Sequence, residues 1–269
     1  MNIYKSLNEI INYIEDHLEE KIDYKKLAKM IGVNVYTLQR IFTLLNNITL
    51  TEYIRKRRLS NAGYDLCNLN MKVIDIAIKY QYESATAFSR AFRSFHGIKP
   101  SEVKKYKNKL KNYPIIVYNE NVVETPTFEY NIIEKEKMVL YGISVEVNNQ
   151  NVDKKAPKLC QDAQKLYAKK YGIYDYGMVT YDENRDGCQK YYVLYDKKIE
   201  EFEKVIIPKS KWLVFKLDSR DAKKIQELSQ DVYLRFLPSS KYNLSDLPDL
   251  EYYHDNVTEY MFPLEETDN

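Results

Sequence analysis

Two segments of the chain lie 50 residues apart and repeat one pattern of side chains. This repeat restricts the fold more than any other feature of the sequence. Both segments have apolar residues at positions i, i+3, i+4 and i+7: Leu38, Ile41, Phe42 and Leu45 in the first, and Phe88, Ala91, Phe92 and Phe95 in the second. This spacing places the apolar side chains on one face of an α-helix. The sequence therefore predicts two copies of one helical unit, each packed on one side.

A polar stripe repeats in the same register as the apolar one. It consists of Tyr36, Arg40 and Thr43 in the first repeat, and of Thr86, Arg90 and Arg93 in the second. A short amphipathic segment precedes each copy, at residues 24–31 and 72–80. Three side chains can accept hydrogen bonds from the first N–H groups of the helices that follow them: Asp23, Asn34 and Ser84. Each repeat is therefore predicted to be a helix, a tight turn and a second helix.

This order is typical of a helix-turn-helix, whose second helix enters the major groove of DNA. Arg40 and Arg90 can each form two hydrogen bonds with a guanine. Residues 50–69 predict one helix of roughly 20 residues, which spans ~30 Å at ~1.5 Å per residue. One turn of DNA is ~34 Å, so we expect the two reading helices to enter successive major grooves. Arg55 and the basic residues that follow it are expected near phosphates.

Charge is divided unevenly along the chain. Residues 1–112 carry 20 Lys and Arg against 11 Asp and Glu, a net charge of +9, whereas the rest carries 21 against 28, a net charge of −7. A basic first domain is typical of a protein that binds a polyanion. No stretch has the ~18 apolar residues of a membrane span, and the first residues lack the layout of a signal peptide. We therefore expect a cytoplasmic protein.

Cysteine and histidine patterns give no support to a metal site or a disulfide framework. Cys67, Cys160 and Cys188 are widely spaced, and the three histidines are far apart. The sequence also lacks a nucleophile elbow, a phosphate-binding loop and a metalloprotease motif. We therefore expect no cofactor, no metal and no enzymatic activity.

Residues 1–110 resemble the DNA-binding domain of the AraC/XylS transcription regulators. Four motifs carry the resemblance: A-x3-G at residues 28–32, LQRIF at 38–42, A-x3-QYES-x3-FSR-x-F at 77–92, and GIKP at 97–100. The resemblance implies base-reading residues at Tyr36, Gln39 and Arg40 in the first repeat, and at Ala85, Thr86, Ser89 and Arg90 in the second.

Two positions depart from the family pattern or weaken its readout. Gln81 stands where the family usually has glycine at the second turn. We expect that turn either to avoid a positive φ or to tolerate a strain of ~1 kcal/mol. Ala85 offers only a methyl contact, for example to a thymine.

The second half of the chain changes from helical spacing to short β-rich segments. Strands are predicted at residues 138–147, 176–182, 189–196 and 211–217, and helices at about 154–170 and 221–236. Strand–helix–strand–strand therefore occurs twice, an α+β plan with an antiparallel sheet. Pro114 and Pro126 mark a boundary. We predict an all-α domain at 1–112, a linker at 113–126 and an α+β domain at 127–269.

Residues 127–265 resemble the GyrI-like effector-binding domain, which follows AraC-type and MerR-type DNA-binding domains. The resemblance rests on the order of elements and on two motifs, IPKSKWLVFKL at 207–217 and FLPSSKYNLSDLPDLEYY at 236–253, with EYMFPL at 259–264. It implies an effector pocket whose acidic residue is Glu251. Phe236 replaces a tryptophan that the family often has, which changes the shape of the pocket.

An aromatic-lined cleft with one buried carboxylate suits a lipophilic cation. We place Glu251 and Trp212 in this pocket. Two alternatives remain at this point. Glu251 can instead accept hydrogen bonds at a strand edge, and Trp212 can instead belong to the core.

The sequence thus predicts a transcription regulator that reads DNA and responds to a small-molecule effector, with RNA polymerase as a further candidate partner. Two other classes stay open. One is a hydrolase that uses Glu251 with aromatic support, and its sign would be turnover that is lost on Glu251→Gln. The other is an architectural DNA-binding protein, whose binding would be indifferent to small molecules.

Overall fold

The computed structural model describes residues 3–69, 71–119, 128–148, 151–181 and 189–265. The chain forms two compact units. The first, here called the helical unit, contains Asn2–Ile31 and Leu50–Asn121. The second, here called the sheet unit, contains Gly32–Thr49 together with Val122–Asn269. The linker predicted at 113–126 stays a prediction, since residues 120–127 lie outside the described chain.

The helices predicted for the two repeats are confirmed to within one or two residues. In chain order the first helices are α1 (Ile3–Asp16), α2 (Tyr24–Met30), α3 (Val35–Asn46), α4 (Leu50–Asn68), α5 (Val73–Lys79) and α6 (Ala85–His96). All belong to the helical unit except α3, which belongs to the sheet unit. Short 3-10 turns follow at Pro100–Glu102 and Lys107–Lys109.

The three predicted N-caps are confirmed. Asp23 accepts hydrogen bonds from the backbone N–H groups of two residues, Lys25 and Lys26. Asn34 and Ser84 each accept one from the residue three positions later. These bonds satisfy N–H groups that have no partner inside the helix, which fixes where α2, α3 and α6 begin.

The second repeat has its own apolar core. Phe88 and Phe92 of α6 are fully buried and pack with residues of α4 and α5, among them Leu59 and Ile76. The turn between α5 and α6 takes the strained alternative, because Gln81 has a φ of 64°. Its side-chain amide donates a hydrogen bond of 2.6 Å to the carbonyl oxygen of Glu19. This bond helps to hold a non-glycine residue in the left-handed region.

A buried ion pair joins α1 and α4. Arg57 binds Glu15 with two nitrogens, and the Nη2 to Oε2 distance is 2.7 Å. Only 8% of the Arg57 side chain and 15% of the Glu15 side chain are exposed. Arg58 donates to the carbonyl oxygens of Leu18 and Glu20. Arg57 was expected near phosphate, and its burial instead makes it a structural residue.

The sheet unit is built on an eight-stranded antiparallel sheet. Its strands are β1 (Asn131–Lys135), β2 (Met138–Val147), β3 (Tyr176–Tyr181), β4 (Gln189–Tyr195), β5 (Glu203–Ile207), β6 (Ser210–Leu217), β7 (Asp249–His254) and β8 (Val257–Pro263). Its helices besides α3 are α7 (Val152–Tyr171), α8 (Ala222–Asp231), which continues into a π-helical turn (Val232–Phe236), and the short α9 (Leu237–Ser239).

The strand order is β1-β6-β8-β7-β3-β4-β2-β5. The duplicated strand–helix–strand–strand plan is confirmed as β2-α7-β3-β4 and β6-α8-β7-β8. Each half gains one short edge strand, β1 or β5, that was not predicted. The two halves meet in the middle of the sheet, where β7 pairs with β3.

Strand alternation divides the sheet into two faces. Trp212, Leu250 and Met261 lie in the apolar cluster of one face. The other face packs against α7, through a cluster that includes Val193 of β4 and Ala163 of the helix. Cross-strand partners share a face, and one row of partners runs Phe215, Tyr260, Glu251, Gly177 and Val193. Glu251 is therefore on the helix-covered face, and Trp212 is on the opposite one.

Candidate effector cavity and DNA-reading residues

A cavity of ≈ 420 Å³ lies on the helix-covered face of the sheet unit. Its walls come from α7, α8 and α3, and its floor comes from β3, β4, β7 and β8. Its lining includes Arg40 and Thr43 of α3, Ser229 of α8, and Tyr191, Glu251, Tyr253 and Tyr260 of the strands. The cavity therefore lies over the place where the two halves of the sheet meet.

Glu251 is the acidic residue of this cavity. Its Oε2 accepts hydrogen bonds from the hydroxyl of Tyr191, at 3.1 Å, and from the hydroxyl of Tyr253. Burial raises the pKa of Glu251, while the two tyrosine hydroxyls favour the carboxylate and oppose that shift. The cavity floor thus holds a carboxylate with both polar partners on the same oxygen.

Gly177 leaves the room that Glu251 needs. A Cβ at this position would lie 2.5 Å from Oε2 of Glu251 and 2.7 Å from the hydroxyl of Tyr191. Real Cβ atoms do not approach other heavy atoms this closely. A side chain at Gly177, the direct partner of Glu251 on β3, would therefore force the carboxylate and the Tyr191 hydroxyl to move.

A second carboxylate, Asp249, lies on the same strand two residues before Glu251. It is 3% exposed and does not line the cavity. Its Oδ2 accepts hydrogen bonds from the hydroxyl of Tyr233 at 2.6 Å and from that of Tyr36 at 3.5 Å. Burial raises the pKa of Asp249 to about 6, although these hydroxyls and the nearby charge of Arg40 oppose the shift.

Helix α3 lies against this part of the sheet unit. Arg40 donates from Nη2 to Oγ of Ser229 at 3.5 Å, and its guanidinium carbon is 5.9 Å from the centre of the Tyr233 ring. Asn34, which caps the helix through its side-chain oxygen, donates from Nδ2 to the carbonyl oxygens of Leu244 and Ser245, at 2.7 and 2.9 Å. Helix α3 is therefore held at its N-terminus and along its length.

The fit between α3 and the sheet is incomplete. Four buried side-chain polar atoms on α3 and at the start of β7 have no hydrogen-bond partner among the described residues: Oγ1 of Thr37, Oε1 of Gln39, Nε of Arg40 and Oδ1 of Asp249. Each such atom costs ~1–3 kcal/mol relative to a satisfied one. The polar contacts of α3 are thus specific in direction but leave buried polar groups unsatisfied.

The residues predicted to read DNA fall into two groups by accessibility. Tyr36, Gln39 and Thr43 of α3 are buried, and Arg40 is half-buried. On α6 the accessible group is Thr86, Arg90 and Arg93, all exposed, with Ala85 and Ser89 half-buried. Arg55 on α4 is half-exposed and forms two hydrogen bonds with Glu52, at 2.7 and 2.8 Å. The DNA-reading role of all these residues stays a prediction.

The two residues predicted for the effector pocket do not lie together. Glu251 lines the cavity, and its role in binding stays a prediction. Trp212 is fully buried in the apolar cluster of the opposite face and does not line the cavity. The core alternative is therefore the correct one for Trp212. Side chains alternate between the two faces along a strand, so Trp212 and Phe215 of β6 point to opposite faces. Phe215 shares the face of Glu251.

Several residues of the site were not found in the sequence. They are Asp249, Tyr191, Tyr253 and Ser229. A signal for two of them, Asp249 and Tyr253, was the alternation of DLEYY, which places both on the same face of a strand as Glu251. Within the described residues, no group of three or more His, Cys, Asp or Glu side chains could hold a metal. Cys188 lies outside the described residues.

Two family matches give the class of protein: a DNA-binding regulator with a helix-turn-helix domain and a small-molecule binding domain. Residues 27–106 match the helix-turn-helix domain family of AraC type, and residues 128–265 match the family of GyrI-like small molecule binding domains. The chain belongs to the AraC-type regulators that carry a GyrI-like domain. It is a transcription regulator that binds DNA and a small molecule. None of the described helices is long and apolar enough to cross a membrane.

Two curated relatives are transcription regulators. AarP of Providencia stuartii, a helix-turn-helix transcriptional activator, is 38% identical over 95 residues, which are 35% of this chain and 70% of AarP. The regulatory protein SoxS of Escherichia coli is 33% identical over 102 residues, which are 38% of this chain and 95% of SoxS. Among solved structures, SAV2435 bound to tetraphenylphosphonium aligns with a TM-score of 0.45 and 16% identity, over 51% of this chain and 94% of that one.

Proposed function

We propose that the effector of this regulator is a lipophilic organic cation, bound in the cavity of the sheet unit with its charge near Glu251. One observation carries the proposal: the floor of a ≈ 420 Å³ cavity holds a carboxylate among tyrosine rings. This volume lies within the ~300–1,000 Å³ of ordinary ligand pockets. A buried carboxylate and the faces of aromatic rings are the two groups that attract a weakly hydrated cation.

The charges around the cavity favour a cationic ligand. Asp249 and Glu251 bring two carboxylates to one face of the sheet unit, and burial raises the pKa of both. The nearby charge of Arg40 favours the ionised form of both carboxylates, although its guanidinium donates its hydrogen bond to Ser229. Arg220 also lines the cavity, but it is exposed, so water screens its charge. A bound cation would therefore stabilise a carboxylate whose charge is only partly balanced.

We propose further that the DNA target is read by the two polar stripes together with the base-reading residues that the family resemblance implies. On α6 these are Ala85, Thr86, Ser89, Arg90 and Arg93, and on α3 they are Tyr36, Gln39, Arg40 and Thr43, with Arg55 at a phosphate. RNA polymerase is the partner through which such a regulator, acting in the cytoplasm, would change transcription. The named relatives are regulators, and we propose that the cavity binds its effector without turnover.

Tetraphenylphosphonium tests the effector proposal, with tetraphenylborate as a probe of the same shape and opposite charge. In calorimetric titrations we expect the wild type to bind the cation and not the anion. Glu251→Gln should weaken cation binding by about tenfold or more, because it replaces a charged hydrogen-bonded partner by a neutral one. Stronger binding at higher pH is also expected, because the raised pKa of Glu251 leaves more of it protonated as pH falls.

Glu259→Gln is the matched control for this experiment. Glu259 lies on β8 beside Tyr260 in sequence, faces away from the cavity and contacts His254 at 3.2 Å. It should bind tetraphenylphosphonium like the wild type. Equal binding of the anion, or unchanged cation binding by Glu251→Gln, would contradict the proposal.

A further inference from the structure

The first reading helix is also a wall of the effector cavity. Arg40, Thr43 and Leu44 of α3 line the cavity together with Glu251. Two of these three residues, Arg40 and Thr43, belong to the stripe that is predicted to face DNA. One helix surface therefore has two possible partners, the cavity and the major groove.

In the structure, this surface of α3 packs against the cavity. Tyr36 is 9% exposed and Gln39 is 5% exposed, so their side chains cannot reach the edges of bases. Arg40 has its Nη2 on Ser229 and lies over the ring of Tyr233. By contrast, the equivalent residues of the second repeat, Thr86 and Arg90, are exposed. The two repeats have the same pattern in sequence and opposite accessibility in the structure.

The contacts that hold α3 are directed at its reading face. The hydroxyl of Tyr36 shares Oδ2 of Asp249 with the hydroxyl of Tyr233. The amide of Asn34 binds two carbonyl oxygens of the loop before β7. The guanidinium of Arg40 is a cation at the edge of the cavity, and its charge favours the ionised forms of Asp249 and Glu251. A side chain of the DNA-reading stripe thus supplies the kind of charge that the cavity suits.

The docked arrangement is suited to reversal. The Arg40–Ser229 and Tyr36–Asp249 hydrogen bonds are both 3.5 Å long, near the upper limit for a hydrogen bond. Buried polar atoms of Gln39, Arg40 and Asp249 have no partner within the described part of the chain. Release of α3 would return these groups to water or to DNA.

We propose that α3 is an internal competitor of the effector: its docking withholds the first repeat from DNA, and a lipophilic cation that enters the cavity displaces Arg40 and releases the helix. This inference rests on the proposed function, because it assumes that the cavity binds a cation. Without effector, α6 alone reads bases. With effector, α3 and α6 both read them.

The competition has a thermodynamic consequence that can be measured. If the effector favours the released state and DNA needs it, each ligand must strengthen the binding of the other by the same factor. Couplings of this kind are usually about 5- to 150-fold. The sign is fixed: the effector raises DNA affinity.

The test uses the full chain and a duplex that covers the DNA upstream of its own gene. Hydroxyl-radical footprinting locates the contacts, and fluorescence anisotropy gives the affinity, each with and without tetraphenylphosphonium. We expect the wild type to protect one segment without the probe. With the probe, protection should extend to the neighbouring major groove, and affinity should rise about tenfold.

Two variants should release α3 without the probe. Asp249→Asn removes the charge that faces Arg40 and replaces the carboxylate that accepts from two tyrosines by a neutral amide. Asn34→Ser keeps an N-cap oxygen but removes the amide that binds Leu244 and Ser245. Both should show the extended footprint in the absence of tetraphenylphosphonium, and Glu259→Gln should not. Asn34→Ser leaves the buried carboxylates unchanged, so this variant still tests the inference if Asp249→Asn fails to fold.

The outcomes separate this inference from the proposed function. If calorimetry shows that tetraphenylphosphonium binds while the footprint and the affinity stay the same, or the affinity falls, the competition is overturned and the effector proposal stands. If the probe does not bind but both variants extend the footprint, the docking of α3 is supported and the effector proposal fails. A full footprint from the wild type without any probe overturns the inference.

Discussion

Glu15→Ala is expected to lower the free energy of unfolding by ~3–5 kcal/mol, because it leaves the charge of Arg57 buried and unpaired. The ion pair is 2.7 Å long, and both side chains are largely buried between α1 and α4. Glu15 also accepts a hydrogen bond of 2.9 Å from the hydroxyl of Tyr53. Loss of the Glu15 carboxylate therefore removes a hydrogen-bond acceptor from both Arg57 and Tyr53. Urea unfolding of the full chain, followed by far-UV circular dichroism, measures the change.

Glu52→Ala is the matched control on the same pair of residue types. Glu52 binds Arg55 within α4, and 40% of the Arg55 side chain is exposed. An exposed pair of this kind contributes only ~0–1 kcal/mol, because water and salt screen it. Equal destabilisation by the two variants would show that burial of the Arg57 pair contributes nothing. The contrast also bears on function, since it separates the structural arginine of α4 from the one predicted at a phosphate.

Local features of the fold were predictable from the sequence because each depends on neighbouring residues. The helix that ends at His96 follows from the apolar stripe of Phe88 and Phe92 and from the cap at Ser84, all within 13 residues. The longer strands were visible as runs of β-branched and aromatic residues. The short edge strands β1 and β5 were not, because NIIEK and EKVII each mix charged residues with only two or three apolar ones.

The effector site was only partly predictable because it depends on which strands are neighbours. Glu251 was assigned by family resemblance, and the structure places it in the cavity. Trp212 was assigned to the same pocket, yet it faces the other side of the sheet. Which face a strand residue shares with a residue on another strand depends on the register between them. That register is fixed here through β8, and no local pattern of the sequence reveals it.

The burial of α3 could not be predicted from its own sequence. Tyr36 and Arg40 repeat the polar stripe of an exposed helix, and the second repeat does expose that stripe. The groups that bind it, Ser229 and Asp249, lie about 190 to 210 residues later in the chain. The additional partner of α3 becomes visible only when the burial of its stripe is compared with the exposure of the same stripe on α6.

Arg90→Ala and Arg40→Ala are expected to affect DNA binding under different conditions. Arg90 is exposed, so its loss should cost ~1–3 kcal/mol of specific binding, roughly 5- to 150-fold, with or without tetraphenylphosphonium. With the cation, the loss of Arg40 should carry a comparable cost. Without the cation, Arg40 is held on Ser229, so its loss removes a docking contact of α3 and should not lower DNA affinity. Fluorescence anisotropy on the upstream duplex, compared with a shuffled duplex, measures both effects.

Salt dependence distinguishes base contacts from phosphate contacts in the same titrations. A lost phosphate contact lowers the slope of log affinity against log salt by about 1 and weakens both duplexes alike, whereas a lost base contact acts on the specific duplex. Arg235→Ala is the control, because Arg235 lies in the π-helical turn of the sheet unit, outside both reading stripes, and should leave binding unchanged. A full cost of Arg40→Ala without the cation would mean that α3 already reads DNA. In that case the difference in accessibility between the stripes of α3 and α6 would not govern DNA binding.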